Sequence, residues 1–254
     1  MLISFGIFFI LGLIIGSFLN VVIVRLRAQQ SLLGRSRCVH CARQIAWYDN
    51  VPLVSFVILR GRCRHCAARI SIQYPLVEFL TGAIFALVGM VFFVSPLVPS
   101  LITTALLLAI SACFVVIFIY DLRFLEIPMI VAWIAIVASI LLAVVWGEGR
   151  TLSFFASGAG AFLFFFTLTA ISQERWMGKG DAYVALAIGS ALGWPLTMIA
   201  LLFAFCFGAL VSIILLIFSR VGFKSQIPFA PFLIGGFFVA LLLKKISLPL
   251  LLLL

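Results

Sequence analysis

Residues 101–120 read LITTALLLAISACFVVIFIY, twenty residues without a formal charge, and the next residue is Asp121. At 1.5 Å of rise per residue, a helix of that length is about 30 Å long, the thickness of the hydrocarbon core of a bilayer. The run is one of a series: similar apolar stretches occupy residues 2–24, 74–94, 127–146, 152–171, 181–218 and 229–243. Gly193-Trp194-Pro195 interrupts the 181–218 stretch and reads as a turn between a short helix and a longer one. That predicts about eight transmembrane helices. The whole chain of 254 residues is 66% hydrophobic and 9% charged, with a mean hydropathy of +1.37, whereas a soluble domain carries about 25% charged residues. Two thirds of so apolar a chain could not all be buried in a water-soluble globule, so soluble, secreted and disordered classes are excluded. The expected fold class is an all-α polytopic membrane protein.

Residues 2–24 have no basic leader region and no small-residue cleavage site, and they are long enough to span, so they are read as a transmembrane helix rather than a signal peptide. Residues 25–73 are different. They hold nine of the seventeen Lys and Arg residues, four of the six cysteines and both histidines. The expected organisation is therefore residues 1–24 as a first transmembrane helix, residues 25–73 as a small cytoplasmic loop domain and residues 74–254 as a membrane-embedded region. No internal repeat is evident. Ser157-Gly158-Ala159-Gly160-Ala161 lies inside an apolar span, where small residues serve close helix packing rather than a nucleotide loop.

Charge fixes the orientation. With the 25–73 loop in the cytoplasm, alternation of eight spans also places Arg123, Arg175, Lys179, Arg220 and Lys224 inside. Only Arg150, Lys244 and Lys245 fall outside, a division of fourteen to three. The positive-inside rule then predicts an N-terminus on the outer side of the membrane and the loop on the inner side. The net charge of +10 is accounted for by this bias, without nucleic acid as a partner.

Cys38-Val-His-Cys41 and Cys63-Arg-His-Cys66 form two C-x2-C knuckles separated by 21 residues. Four thiolates in that pattern suit a structural zinc, and a closed site of four sulfurs leaves no open catalytic position. Arg35, Arg37, Arg62 and Arg64 favour the thiolate form, and a cytoplasmic location argues against disulfides. Iron, a redox pair or unmetallated thiols are the other readings. Cys113 and Cys206 stand alone in apolar runs and are expected to be small buried hydrophobes.

The chain has seven acidic residues: Asp49, Glu78, Asp121, Glu126, Glu148, Glu174 and Asp181. Asp181, in Gly178-Lys-Gly-Asp181, stands where a polar loop gives way to an apolar helix; a first-turn aspartate favoured by the helix dipole is its plain reading. Asp121 closes a span, at the helix end where a carboxylate is disfavoured, and at a membrane boundary that marks it as a functional candidate. The topology puts both on the cytoplasmic side. Two carboxyl groups facing each other share a proton, the arrangement an aspartic protease needs: one takes a proton from water and the other protonates the scissile amide. The glycines before Asp181 are expected to let a peptide backbone approach the pair. Both histidines lie in the cysteine loop, so neither a Ser/His/Asp set nor a His-Glu metal motif competes.

With these residues in view, the chain resembles the type IV prepilin peptidases, the bifunctional leader peptidase/N-methyltransferases of type IV pilus and type II secretion systems. The matching segments are Gly16-Ser-Phe-Leu-Asn-Val21, the two knuckles, Ile45-Ala-Trp-Tyr-Asp-Asn-Val-Pro52, Leu59-Arg-Gly-Arg-Cys63 and Tyr74-Pro-Leu-Val-Glu78. They continue through Asp121, Ile127-Pro128, Gly178-Lys-Gly-Asp181 and Ile227-Pro-Phe-Ala-Pro231. The resemblance implies Asp121 and Asp181 as the catalytic pair of a G-x-G-D membrane aspartyl protease. It also implies prepilin or pseudopilin substrates cleaved after a glycine, and S-adenosylmethionine as donor for methylation of the new N-terminal residue. Asn20, Asp49 and Glu78 are the groups to consider for binding the methyl donor. Glu78 also reads as a first-turn carboxylate, and Asn20 as interhelical hydrogen-bonding glue. Three positions depart from the family pattern: Met129 follows Ile-Pro, and Ala42 and Ala67 follow the second cysteine of each knuckle, where the family commonly has glycine. A peptidase-only relative with a structural zinc loop, a non-enzymatic zinc-bearing scaffold and a proton-relay transporter are the alternatives; aspartates at the interface rather than the bilayer centre speak against the last. A homo-oligomer is left open.

Overall fold

The computed structural model describes residues 2–93, 98–146, 149–175, 177–218 and 227–251. Among them are nine α-helices and no strand, as the hydropathy pattern predicts. Six helices are long and apolar enough to cross a membrane; the seventh and eighth expected spans are the short α7 and the apolar stretch Ala230–Lys244 of α9, defined below. The chain divides into two compact units, residues 1–94 and 95–254.

In the first unit α1 (Leu2–Arg27) packs against α3 (Gln73–Phe92). The seam is made by missing side chains. A Cβ at Gly12 would lie 2.7 Å from the Cα of Gly82, and one at Gly16 would lie 2.8 Å from the Cα of Glu78, so the backbones meet where only glycine fits. The sequence-based boundary after residue 73 set α3 with the membrane region that follows; by contact it belongs with α1 and the cysteine loop.

The loop between α1 and α3 contains a repeat that the one-dimensional reading passed over. Residues 36–45 and 61–70, offset by 25 positions, share Arg, Cys, His, Cys, Ala and Ile in register. Both fold alike. The amides of Cys38 and Cys63 donate to Arg43 and Ala68, those of Ala42 and Ala67 to Cys38 and Cys63, and those of Ile45 and Ile70 to Ser36 and Gly61. Arg37 thereby pairs with Gln44, and Arg62 with Arg69, in isolated antiparallel bridges. The repeat was obscured because the segment after each knuckle differs in length: the short helix α2 (Val54–Ile58) follows the first and α3 the second. Ala42 and Ala67 both turn through left-handed backbone, φ 55° and 54°.

The second unit comprises α4 (Val98–Phe124), α5 (Met129–Trp146), α6 (Thr151–Ser172), α7 (Lys179–Leu192), α8 (Leu196–Phe218) and α9 (Ala230–Leu251). Its interior is α7, which packs on α5, α6, α8 and α9. Ten of the fourteen α7 residues are buried, although a helix of that length reaches only about 21 Å. Gly193, at φ 70°, ends it and α8 starts three residues later, the expected turn. The small-residue stretch in α6 works as helix packing: a Cβ on Gly189 of α7 would meet the Cα of Gly158 at 2.7 Å. Cys113 is half-buried, but Cys206 is exposed on α8 rather than buried; on an apolar span an outward small thiol is compatible with lipid. Arg220, Lys224 and Glu148 lie outside the described residues.

Candidate active site

Asp121 lies one turn before the end of α4, which closes with Leu125 in left-handed backbone (φ 54°) and its amide on the Asp121 carbonyl at 2.9 Å. The carboxylate is thus at the unfavourable pole of its own helix. A second helix compensates. The amide of Ala230, the first residue of α9, donates to Asp121 Oδ2 at 3.2 Å. Ala230 is one of the first-turn donors that its own helix cannot satisfy, and the positive end of the α9 dipole favours a negative charge there. Pro231, the next residue, has no N–H to compete. The segment Ile227-Pro-Phe-Ala-Pro231, known from the sequence only as a matching motif, is therefore the device that anchors Asp121.

Asp181 is the third residue of α7, whose N-cap is Gly178. It does not serve as a capping side chain. Oδ1 is shielded from solvent and has no hydrogen-bond partner among the described residues. Asp121 and Asp181 are each buried, 6% exposed. The site is assembled by packing, since α4 and α7 both rest on α5 and on α9.

The two glycines of Gly178-Lys-Gly-Asp181 part company. A Cβ on Gly180 would fall 2.7 Å from the Cβ of Ile127, so the fit of the α4–α5 connection requires glycine at this position. Around Gly178 the nearest atom to such a Cβ is Asp181 Oδ2, at 3.9 Å, which leaves that flank open. Lys179 pairs with Glu174.

In the first unit the Sγ atoms of Cys38, Cys41, Cys63 and Cys66 all lie within 4.8 Å of one another, with Cys38 and Cys66 3.8 Å apart. This cluster could hold a metal ion. The amides of Cys41 and His40 point at Cys38 and lower its thiol below the usual range.

Of the three polar candidates nearby, two come together and one does not. Glu78 and Asn20 share the α1–α3 seam. Glu78 Oε2 accepts from the Leu53 amide at 2.8 Å, and the Ser17 side chain lies beside this carboxylate. Asn20 Nδ2 donates to the carbonyls of Tyr74 at 3.1 Å and Gly16 at 3.3 Å, and its Oδ1 accepts from Gln73 at 3.4 Å. Glu78 is buried without a cationic partner among the described residues. Asp49 instead holds Arg64 in a bidentate pair, Nη2 to Oδ1 at 2.6 Å and Nε to Oδ2 at 2.9 Å, and Arg64 stacks on Tyr48. The hydrogen bond to that guanidinium keeps Asp49 below its ordinary value. Asp49 is committed within the loop. Ser17 and the Leu53 and Ala230 amides were not singled out from sequence. Ser17 had a signal, as the neighbour of Gly16; the two amides had none, because backbone donors carry no residue identity.

Comparison with known proteins follows the same two-unit division. The bacterial peptidase A24 N-terminal domain matches residues 10–92, and the type IV leader peptidase family matches residues 107–213. A prepilin leader peptidase/N-methyltransferase from Myxococcus xanthus (strain DK1622) is 38% identical over 225 residues, 86% of this chain and 65% of that protein. Proteins of the same name from Bacillus subtilis (strain 168) and Aeromonas hydrophila are 30% and 32% identical. The first alignment covers 93% of both chains, the second 94% of this chain and 90% of its relative. No solved structure matches the chain. Both units are matched in order, and the Bacillus and Aeromonas relatives, each at least 30% identical, are covered over at least nine tenths of their length: the chain belongs to the type IV leader peptidase family.

Proposed function

We propose that this chain is a bifunctional enzyme of the bacterial inner membrane that removes the basic leader of prepilins or pseudopilins and N-methylates the residue exposed by the cut. The observation that carries the first activity is the buried pair Asp121 and Asp181, with one oxygen of Asp181 left without a partner. Asp121, which accepts the Ala230 amide, is suited to carry the charge and to take a proton from the attacking water. Asp181, whose Oδ1 meets no donor, is suited to carry the proton and pass it to the scissile amide as the carbon–nitrogen bond breaks. Proton counts balance: water supplies hydroxide to the carbonyl carbon and a proton to the pair, and the pair supplies a proton to the leaving amine. The fourteen-to-three division of Lys and Arg supports a periplasmic N-terminus, with cleavage at the cytoplasmic face. A substrate helix anchored in the bilayer then enters laterally, because a basic leader gains no attraction from a basic loop.

Methyl transfer belongs in this reading to residues 2–93, cleavage to residues 98–251. Zinc fits the cysteine cluster: at a Zn–S distance of about 2.3 Å, tetrahedral sulfurs stand about 3.8 Å apart, the Cys38–Cys66 separation. Cys38, Cys41, Cys63 and Cys66 would hold it as a structural ion. S-adenosylmethionine, when bound, supplies an electrophilic methyl group. Glu78, a buried carboxylate that accepts from the Leu53 amide and meets no cation among the described residues, is suited to hold the new N-terminal ammonium and accept its proton. The relatives carry both activities in their names, which favours the bifunctional reading over a peptidase-only one.

The test is an assay of the purified protein with a prepilin peptide and S-adenosylmethionine, read by mass spectrometry. Asp121→Asn and Asp181→Asn should each lower cleavage by more than about a hundredfold while still methylating a pre-cleaved peptide. Glu78→Gln should do the reverse. Cleavage by either aspartate variant above a few per cent of wild type would remove the dyad. Parallel loss of both activities in folded Glu78→Gln would end the division of labour.

A further inference from the structure

All nine basic residues of the 25–73 loop are arginines, and the loop has a single acid, Asp49. Several of the arginines are occupied. Arg25 donates to the carbonyls of residues 31–35, Arg64 is paired with Asp49, and Arg43 meets the His65 ring. Arg62 and Arg69 are not. Both are exposed, and neither guanidinium meets an acceptor among the described residues. Yet they stand directly opposite each other in the antiparallel bridge of the second knuckle. Hydrogen bonds from Cys63 to Ala68 and from Ile70 to Gly61 flank the pair, which makes it a non-hydrogen-bonded position, where opposed side chains share one face and approach most closely. Like charges so placed repel. The fold holds the pair there, and the metal-binding turn between the two residues fixes its spacing.

We propose that Arg62 and Arg69 form a claw for the phosphate of an anionic phospholipid headgroup. Guanidinium forks bind phosphate oxygens bidentately, which lysine cannot do, and two opposed forks with no protein counter-ion fit one phosphate. A lipid is favoured over soluble phosphate by position and by neighbours. The loop joins the C-terminus of α1 to the N-terminus of α3, two membrane-length helices packed together, so it lies at a membrane boundary. The same loop exposes Trp47, Val57, Ile58 and Ile72, each more than two thirds accessible, side chains suited to the headgroup and acyl boundary. This inference does not rest on either proposed activity.

Native mass spectrometry of the full-length protein, released from nanodiscs of phosphatidylcholine mixed with phosphatidylglycerol, tests it. Wild type should retain phosphatidylglycerol selectively. Arg62→Gln/Arg69→Gln should lower that retention by about twenty-five-fold, about fivefold for each arginine, with metal content unchanged. Arg60→Gln, which changes an exposed arginine outside the pair, should alter it little. Should the double glutamine variant lose its metal, Arg62→Lys/Arg69→Lys decides: charge without forks should still cost several-fold. Equal retention of both lipids, or wild-type retention by the Arg62/Arg69 double variants, overturns the claw. Competition by millimolar inorganic phosphate to the same extent in lipid-free micelles would assign it to a soluble anion instead.

Discussion

Ala42 and Ala67 occupy backbone that L-residues avoid. Each follows the second cysteine of a knuckle and turns through φ near 55°, a conformation that costs a residue bearing a Cβ about 1–2 kcal/mol. The amide of each must nevertheless reach back to Cys38 or Cys63 at 2.9 Å, because that bond closes the turn around the metal ligands. Glycine would adopt the same turn without strain, at the cost of some unfolded-chain entropy. Ala42→Gly and Ala67→Gly should therefore each stabilise the loop by about 0.5–1 kcal/mol, seen as slower metal release to a chelator at fixed temperature. Faster release from both would show that the left-handed turns are not strained. The departure from glycine was visible in the sequence; its conformational meaning became readable only with the dihedral angles. Asp121 gives the converse lesson. Its position at a helix C-terminus marked it as anomalous from sequence alone, while the compensating amide of Ala230, 109 residues away, could not be inferred from any local pattern.

Between elements, the connection from α4 to α5 is fitted to the first turn of α7 through Ile127 and Gly180. Replacing Gly180 with alanine sets a methyl group 2.7 Å from the Ile127 Cβ, a branched carbon fixed to backbone that cannot swing away. Overpacking of this kind costs about 1–3 kcal/mol, and the strain falls on the residue before Asp181. Gly180→Ala should reduce kcat for cleavage at least tenfold without loss of the fold, and Ile127→Gly in the same chain should restore much of it. Failure of that rescue would mean that Gly180 serves the substrate after all. Helix positions were legible because a span must hide every backbone polar group within itself, which leaves a long unbroken run. The partner of each helix was not legible. Nearly uniform apolar faces carry no periodic stripe, so pairings such as α5 with α7 rest on small-residue fits like that of Gly158 to Gly189. The knuckle repeat escaped for a related reason: six shared residues in ten are diluted by segments of unequal length.

At the scale of the whole chain, the family resemblance and the composition agreed on a membrane enzyme, and the structure added its division into two units and which side chains each unit commits elsewhere. Asp49 is spoken for by Arg64, Gly180 by Ile127 and Glu78 by the Leu53 amide, while Asp181 Oδ1 is left without a partner among the described residues. The hold of Ala230 on Asp121 has a consequence in time. The ribosome delivers α9 after α4 and α7, so a nascent chain carries both aspartates in the membrane well before the amide that steadies one of them exists. Peptide cleavage should be dormant until α9 is inserted, protecting neighbouring membrane segments from a half-made protease. Co-production of residues 1–218 with a separate fragment from residue 219 onward would reveal this dependence: the long fragment alone should be inert, and activity should return when the second is supplied.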